Sequence, residues 1–217
     1  MPLYTADALV LRTYKLAEAD RIVVFLTRDR GKKRGVAPHA RRPRSRFTGA
    51  LEPLTEVRIA YFEKEGRELV SLNYAETVRS PLALATPESL SYSHYFAELI
   101  DAWAADADAD ERLFRLGCSV LDALATGTSA DALARYFECW LLRLQGVYPT
   151  NLSLSHGAIA FIDATRQVTP AAAGSLGASA LVLRELERKH QAVITSLLEK
   201  ELKTVRVMNE LRQLPPQ

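Results

Sequence analysis

Apolar and polar positions change their period once along this chain, close to residue 80. Between residues 5 and 14 they alternate around Ala8, Leu9, Val10 and Leu11, and after the polar interval Lys15 to Arg21 comes Ile22, Val23, Val24, Phe25 and Leu26. Their β-branched content and length predict two strands. Asp29 to Gly31 predicts a turn into a short third strand, Lys33 to Ala37. A fourth follows over Leu54 to Phe62, with Val57, Ile59 and Tyr61 alternating; the charged turn Glu63 to Arg67 leads to a fifth, Leu69 to Val78. Five short strands in about 78 residues, with no helical periodicity between the first two, predict a small closed or partly closed barrel, and the OB-fold is the leading candidate.

Beyond Ser80-Pro81 the period becomes helical. Thr86-Pro87-Glu88 is a helix start, with a capping side chain and a proline in the first turn. Tyr92, Tyr95, Phe96, Leu99, Ile100 and Trp103 then fall on one face. A second helix is predicted from near Asp110 to Gly127, and a third from Ser129 to Gly146 with Leu133, Tyr136, Phe137, Trp140, Leu141 and Leu144. Short connections make these three an antiparallel bundle. Aromatic stripes at helical spacing read as core, not as base-stacking platforms. From Val147 to Gly177 the periodicity is lost, with one short strand expected at Ala158 to Ile162. After Gly177 one long helix, or two joined end to end, is expected through Met208, and Pro215-Pro216-Gln217 reads as a frayed terminus. The expected architecture is α+β: an N-terminal five-stranded OB-fold barrel over 1–80, then an α-helical bundle over 81–217 with an irregular insertion at about 147–177.

Charge sharpens this division. The chain of 217 residues nets +2, yet residues 1–80 carry 16 basic and 10 acidic residues while 81–217 carry 12 and 16. Within the first part, Arg28 to Arg46 holds nine basic residues (Arg28, Arg30, Lys32, Lys33, Arg34, Arg41, Arg42, Arg44, Arg46) against Asp29 alone. Gly31, Gly35, Pro38 and Pro43 interrupt the run, so it reads as turn, short strand and basic loop rather than helix. Such a loop attracts a polyanion, because each cation that meets a phosphate releases condensed counterions; the bland alternative is a solvated surface turn. Arg12, Lys32, Lys33 and Arg34 on a barrel face, beside Arg41, Arg42, Arg44 and Arg46 on the loop, are the nucleic-acid-binding candidates, with Tyr14 or Phe47 as stacking side chains.

Other chemistry is sparse. With 48% hydrophobic and 25% charged residues the composition is that of an ordinary soluble globular protein. The N-terminus lacks a signal peptide pattern and no stretch reaches membrane-span length, so a cytoplasmic protein is expected. Cys118 and Cys139 sit in apolar helical patterns and read as buried thiols, without a disulfide framework or a zinc set. No Walker-type loop, no serine framed by two glycines and no paired histidines occur, and His39, His94, His156 and His190 are scattered singly, so an enzyme is not expected. Asp106, Asp108, Asp110 and Glu111 could in principle hold Mg²⁺, but their position at a helix start favours a role at the helix dipole.

The run Ala8-Leu9-Val10-Leu11-Arg12-Thr13, through Glu18-Ala19-Asp20, Leu26-Thr27-Arg28 and Gly31-Lys32, to Ala40-Arg41-Arg42-Pro43-Arg44-Ser45-Arg46 and Gly49-Ala50-Leu51-Glu52-Pro53, resembles the N-terminal OB domain of the RecO family of recombination mediators. Leu202-Lys203-Thr204 resembles that family's closing helix. The resemblance implies binding of single- and double-stranded DNA, annealing of complementary strands, and help in loading recombinase onto DNA coated by the single-stranded DNA-binding protein, with RecR as partner. It also implies a bundle site for the acidic, apolar C-terminal tail of the single-stranded DNA-binding protein, for which Arg135, Lys203 and Arg206 are the cationic candidates. Two departures stand out. Many members carry a four-cysteine zinc knob where this chain has the cysteine-free segment 147–177, so no metal and no cofactor are expected. A glycine common before Ala-Arg-Arg is His39 here. An RNA-binding or translation-associated OB module is the alternative, and a Mg²⁺ enzyme using the acidic cluster is the outside one.

Overall fold

The alternating first part folds into β1 (Leu3–Leu16), β2 (Asp20–Thr27), β3 (Gly31–Ala37), β4 (Glu56–Phe62) and β5 (Leu69–Arg79). The computed structural model describes residues 1–84 and 86–213; the terminus expected to fray, Pro215 to Gln217, lies outside the described residues. The strands close in the order β1-β2-β3-β5-β4, antiparallel except where β3 meets β5 in parallel at Arg34 to Val36. This is the five-stranded OB barrel. β1 serves two neighbours, pairing with β4 over Leu3 to Leu9 and with β2 over Ala8 to Leu16, and a register shift between Val10 and Arg12 lets it bend from one to the other.

Alternation along the strands divides two cores. Ala8, Val10, Val23, Phe25, Val57, Ile59 and Tyr61 fill the barrel. Their neighbours Leu9, Leu11, Val24 and Leu26 point the other way, into a cluster shared with Phe96, Ile100, Leu113 and Val120 of the helices. The centres of β1 and β2 are thus buried on both faces, which is why they read as continuous apolar runs. A helical glycine fixes the approach: a Cβ on Gly117 would stand 2.5 Å from the Leu9 side chain and 2.9 Å from that of Ile100.

The helices are α1 (Pro87–Trp103), α2 (Glu111–Ala125), α3 (Ala130–Leu144), α4 (His156–Ala164), α5 (Ala180–Leu198) and α6 (Lys203–Gln213), with short 3₁₀ segments at Pro81–Leu84 and Pro170–Leu176. α1 starts with a reciprocal capping box between Thr86 and Ser89. Its aromatic stripe is core: Tyr92, Tyr95 and Phe96 are buried, and the Phe96 and Phe137 rings lie 4.8 Å apart. The strand expected at Ala158 to Ile162 is instead α4. Ile159 and Ile162 favour a strand locally, but Ser155 caps the backbone N–H of Ala158, and Ala158, Phe161 and Ile162 bury one helical face while Ile159 is exposed. The last apolar stretch is two helices, broken where Glu199 turns left-handed at φ 52°. Among the described residues no helix is long and apolar enough to cross a membrane.

Candidate nucleic-acid interface

The basic run does not form one surface. From its first half, Arg28 and Lys32 are drawn into a seam between barrel and helices, together with Arg12 of β1, while Lys33 is paired within the barrel. Arg12 Nε meets Asp101 Oδ2 at 2.8 Å, and Lys32 Nζ donates to the Asp101 carbonyl at 2.9 Å and faces the Asp101 and Asp106 carboxylates at 3.5 and 3.7 Å. Arg28 pairs with Glu111 at 2.7 Å, and Lys33 with Glu63 at 2.7 Å. The α1–α2 loop lies along the start of β3, with Lys32 N–H donating to Ala105 O (3.2 Å) and Ala107 N–H to Lys32 O (3.1 Å). Gly31 is needed there, at φ 68° with the Asp108 backbone 2.3 Å from where a Cβ would sit. The acidic cluster is therefore divided among separate tasks: Asp106 faces Lys32, Asp110 caps α2 by accepting from Leu113 N–H, and Glu111 takes Arg28. Among the described residues no set of three acidic, histidine or cysteine side chains is arranged to hold a metal ion. The Arg28 guanidinium, by hydrogen bond and charge, holds the Glu111 carboxyl below its usual range.

The second half stays in solvent. Between β3 and β4 the chain runs as successive turns, pinned where Phe47, Ala50 and Leu51 drop into the barrel core. Phe47 is thus no stacking side chain, since burial withdraws its faces from a ligand, and Arg46 lies over its ring at 5.1 Å. Arg42, Arg44 and Arg46 are exposed, and among the described residues none has an acidic partner. Arg41 is tied down by its guanidinium donating to Ala17 O and Glu18 O, each at 2.9 Å, which docks the arc on the β1–β2 turn. His39 takes φ 59°, the conformation a glycine would adopt there, with its N–H bonded to Asp20 Oδ1 at 2.7 Å. Arg34 is exposed on β3, and Tyr14 is exposed on β1 with the Arg12 guanidinium 5.2 Å from its ring centre.

Of the three bundle cations, Arg135 is not at the surface. It is 2% exposed and pairs with Glu138 at 2.9 Å; Glu138, fully buried, also accepts from Tyr95 (2.5 Å) and contacts His190 Nδ1 (2.9 Å). Tyr148 closes the network on the other ring nitrogen at 3.2 Å. The i, i+3 spacing of Arg135 to Glu138 inside an apolar stripe is the signal that places Arg135 within, because a charge buried on that face needs a partner and Glu138 lies one turn away. His190, isolated in sequence, belongs to this buried set. Lys203 is exposed at the start of α6, beside a groove of about 230 Å³ between α1 and α6 lined by Ser91, His94, Val207 and Met208. Arg206 is exposed on α6 with Glu210 at 4.0 Å. Cys139 is buried and Cys118 partly so; burial pushes both thiols up to about 12.

A closed OB barrel seated on a helical bundle and carrying an arc of arginines without acidic partners among the described residues defines a class of protein whose exposed charge suits a polyanion. Comparison with known sequences narrows this. Residues 1–81 match the family model described as recombination protein O N terminal, and residues 84–153 the one described as recombination protein O C terminal. The DNA repair protein RecO of Koribacter versatilis is 41% identical over 146 residues, 66% of this chain and 59% of that protein; its counterpart from Pelotomaculum thermopropionicum is 37% identical over 163 residues, 74% and 62%. The chain thus spans about three fifths of the length of the curated relatives it matches. It belongs to the recombination protein O family.

Proposed function

We propose that this chain is a DNA-binding mediator of DNA repair that acts without catalysing a covalent step. It binds single- and double-stranded DNA through Arg34, Arg41, Arg42, Arg44 and Arg46, anneals complementary strands, and helps to load recombinase onto DNA coated by the single-stranded DNA-binding protein. The observation that carries the reading is the arc Arg42, Arg44 and Arg46, solvent-exposed and, among the described residues, without acidic partners, on a loop pinned to the barrel by Phe47, Ala50 and Leu51. The names of the relatives support it. Annealing needs no reacting side chain: cations that screen two strands' mutual repulsion while leaving base edges free let pairing supply the free energy. A RecR-like mediator is the proposed protein partner. The acidic, apolar tail of the single-stranded DNA-binding protein is assigned to the α1–α6 groove, with Lys203 and Arg206 as its cations.

Salt titration of binding tests this. Five arginine contacts to one strand give a log–log slope of about −3.5, from roughly −0.7 per phosphate. Replacing Arg41, Arg42, Arg44 and Arg46 by Ala should flatten it by two units or more and stop annealing of labelled complementary strands. An unchanged slope, or a preference for RNA over DNA of equal length, would count against the reading.

A further inference from the structure

A cleft of about 470 Å³ opens where the barrel meets the helices, walled by Leu11, Arg12 and Tyr14 of β1, Pro53 at the far end of the basic loop, α1, and the turn that joins α5 to α6. Its volume is that of a small-ligand site. Three carboxylates line it, and two of them are already engaged. Glu98 caps α6, accepting from the N–H groups of Lys203 and Thr204 at 2.9 and 2.8 Å, and Asp101 holds Arg12 and Lys32. Glu201 stands exposed at the rim. The ammonium groups of Lys200 and Lys203, also exposed on the lining, have no acidic partner among the described residues. Tyr14 is 41% exposed, makes no hydrogen bond through its hydroxyl among the described residues, and lies beside the Arg12 guanidinium.

An aromatic ring with a guanidinium over one face, and two ammonium groups on the same lining that are unpaired among the described residues, is the chemistry that takes a flat ring linked to a phosphate. From these observations we infer that the junction cleft receives one unpaired base of single-stranded DNA. The base stacks on Tyr14, and the flanking phosphates meet Lys200 and Lys203. The inference rests on the DNA-binding reading above and adds to it a path: the strand leaves the arginine arc, passes Pro53 and enters the cleft. A paired base cannot enter, so the cleft separates single strands from duplex, which the arc alone does not.

Full-length chain titrated with an oligonucleotide carrying 2-aminopurine reads both affinity and stacking. Tyr14→Ala should weaken single-strand binding about tenfold and remove the base-analogue emission change, while duplex affinity moves less than twofold. Tyr14→Phe should restore both, since the ring and not the hydroxyl stacks. Lys200→Glu with Lys203→Glu should flatten the single-strand salt slope by about 1.4. The arc variant, by contrast, loses single strand and duplex together. Tyr14→Ala that keeps the emission change, or that weakens duplex binding as much as single-strand binding, overturns the cleft assignment with the arc reading intact. Absence of any DNA binding by the unsubstituted chain overturns both.

Discussion

The seam and the arc are made of the same residue types, and apart from Arg12 they come from one stretch of sequence, yet they are opposite environments. In the seam, Arg12, Arg28 and Lys32 each meet a carboxylate supplied by the helical part, from 83 residues away for Arg28 and 69 for Lys32. In the arc, Arg42, Arg44 and Arg46 face water with no carboxylate at hand among the described residues. Charges of the first kind hold two layers of the fold in register and are already neutralised. Charges of the second kind make no ion pair among the described residues and repel one another, a cost that an incoming polyanion relieves. A dense basic run in a sequence therefore overstates the charge a ligand meets, and the excess is set by acids far along the chain.

The division is broken most severely from inside. The buried set of Arg135, Glu138, Tyr95 and His190 is the extreme of the paired kind, and Glu138→Ala would leave Arg135 charged and alone at 2% exposure. Removing one partner of a buried pair typically costs about 3–5 kcal/mol, so denaturant unfolding should show a loss in that range. The salt slope of DNA binding, measured below the new midpoint, should stay where it was. The next largest effect lies in the seam itself. Asp101→Ala strips Arg12 of its carboxylate and leaves Lys32 with Asp106 alone; with Arg12 half exposed the cost is reduced to about 1–2 kcal/mol. This variant should also steepen the salt slope by roughly 0.7, because a released Arg12 becomes a phosphate contact. A flatter slope would mean that Arg12 already reaches DNA while paired.

What the sequence conveyed follows this same boundary. Strand and helix periods were legible because each element has one strongly apolar face, and β1 and β2 could be read as strands even with both faces buried, since β-branched residues fill them. Ala158 to Ile162 misled because a nine-residue helix leaves too few turns for its period to outweigh two isoleucines; Ser155 as a cap was the better guide. The arc was legible from charge and turn residues alone. The pairing of Arg12, Lys32 and Lys33 was not, since no local pattern reports a carboxylate brought in by tertiary packing. Arg135 looked like a surface cation at the edge of a stripe, and only the partner one turn away, Glu138, told against it.

The segment 147–177 offers a smaller test, because there one arginine does structural work where the family resemblance implies zinc in many members. Arg143 lies between the rings of Trp140 and Tyr148, 5.5 and 5.4 Å from their centres, and donates to Ile162 O at 2.8 Å and Thr165 Oγ1 at 2.9 Å. It ties α3 to the end of α4. Arg143→Ala should cost about 1–2 kcal/mol in unfolding free energy, from lost charged hydrogen bonds and ring contacts. A chelator should leave the thermal midpoint unchanged. Stoichiometric zinc in the purified protein would overturn the assignment of this role to Arg143.

The smallest effect is the sharpest test of the comparison, because it sets one paired arginine against one unpaired arginine from the same run. Arg28→Gln and Arg44→Gln each remove a single charge. Arg44→Gln should flatten the single-strand salt slope by about 0.7, and Arg28→Gln should leave it unchanged, since Arg28 is spent on Glu111. Proton titration provides the second readout. With Arg28 beside it, Glu111 has its pKa depressed, so its contribution to stability is fully present above the pH at which the unfolded chain's glutamate takes up a proton and is lost progressively as pH falls from there through the lower folded value. Carbon NMR of the Glu111 carboxyl should therefore show its titration moving up to the ordinary glutamate range in Arg28→Gln and staying depressed in Arg44→Gln. Both groups are well solvated, so the unfolding midpoint at pH 7 should barely respond to either change. Equal loss of slope in the two variants would erase the distinction between seam and arc, and would assign the whole basic run to DNA.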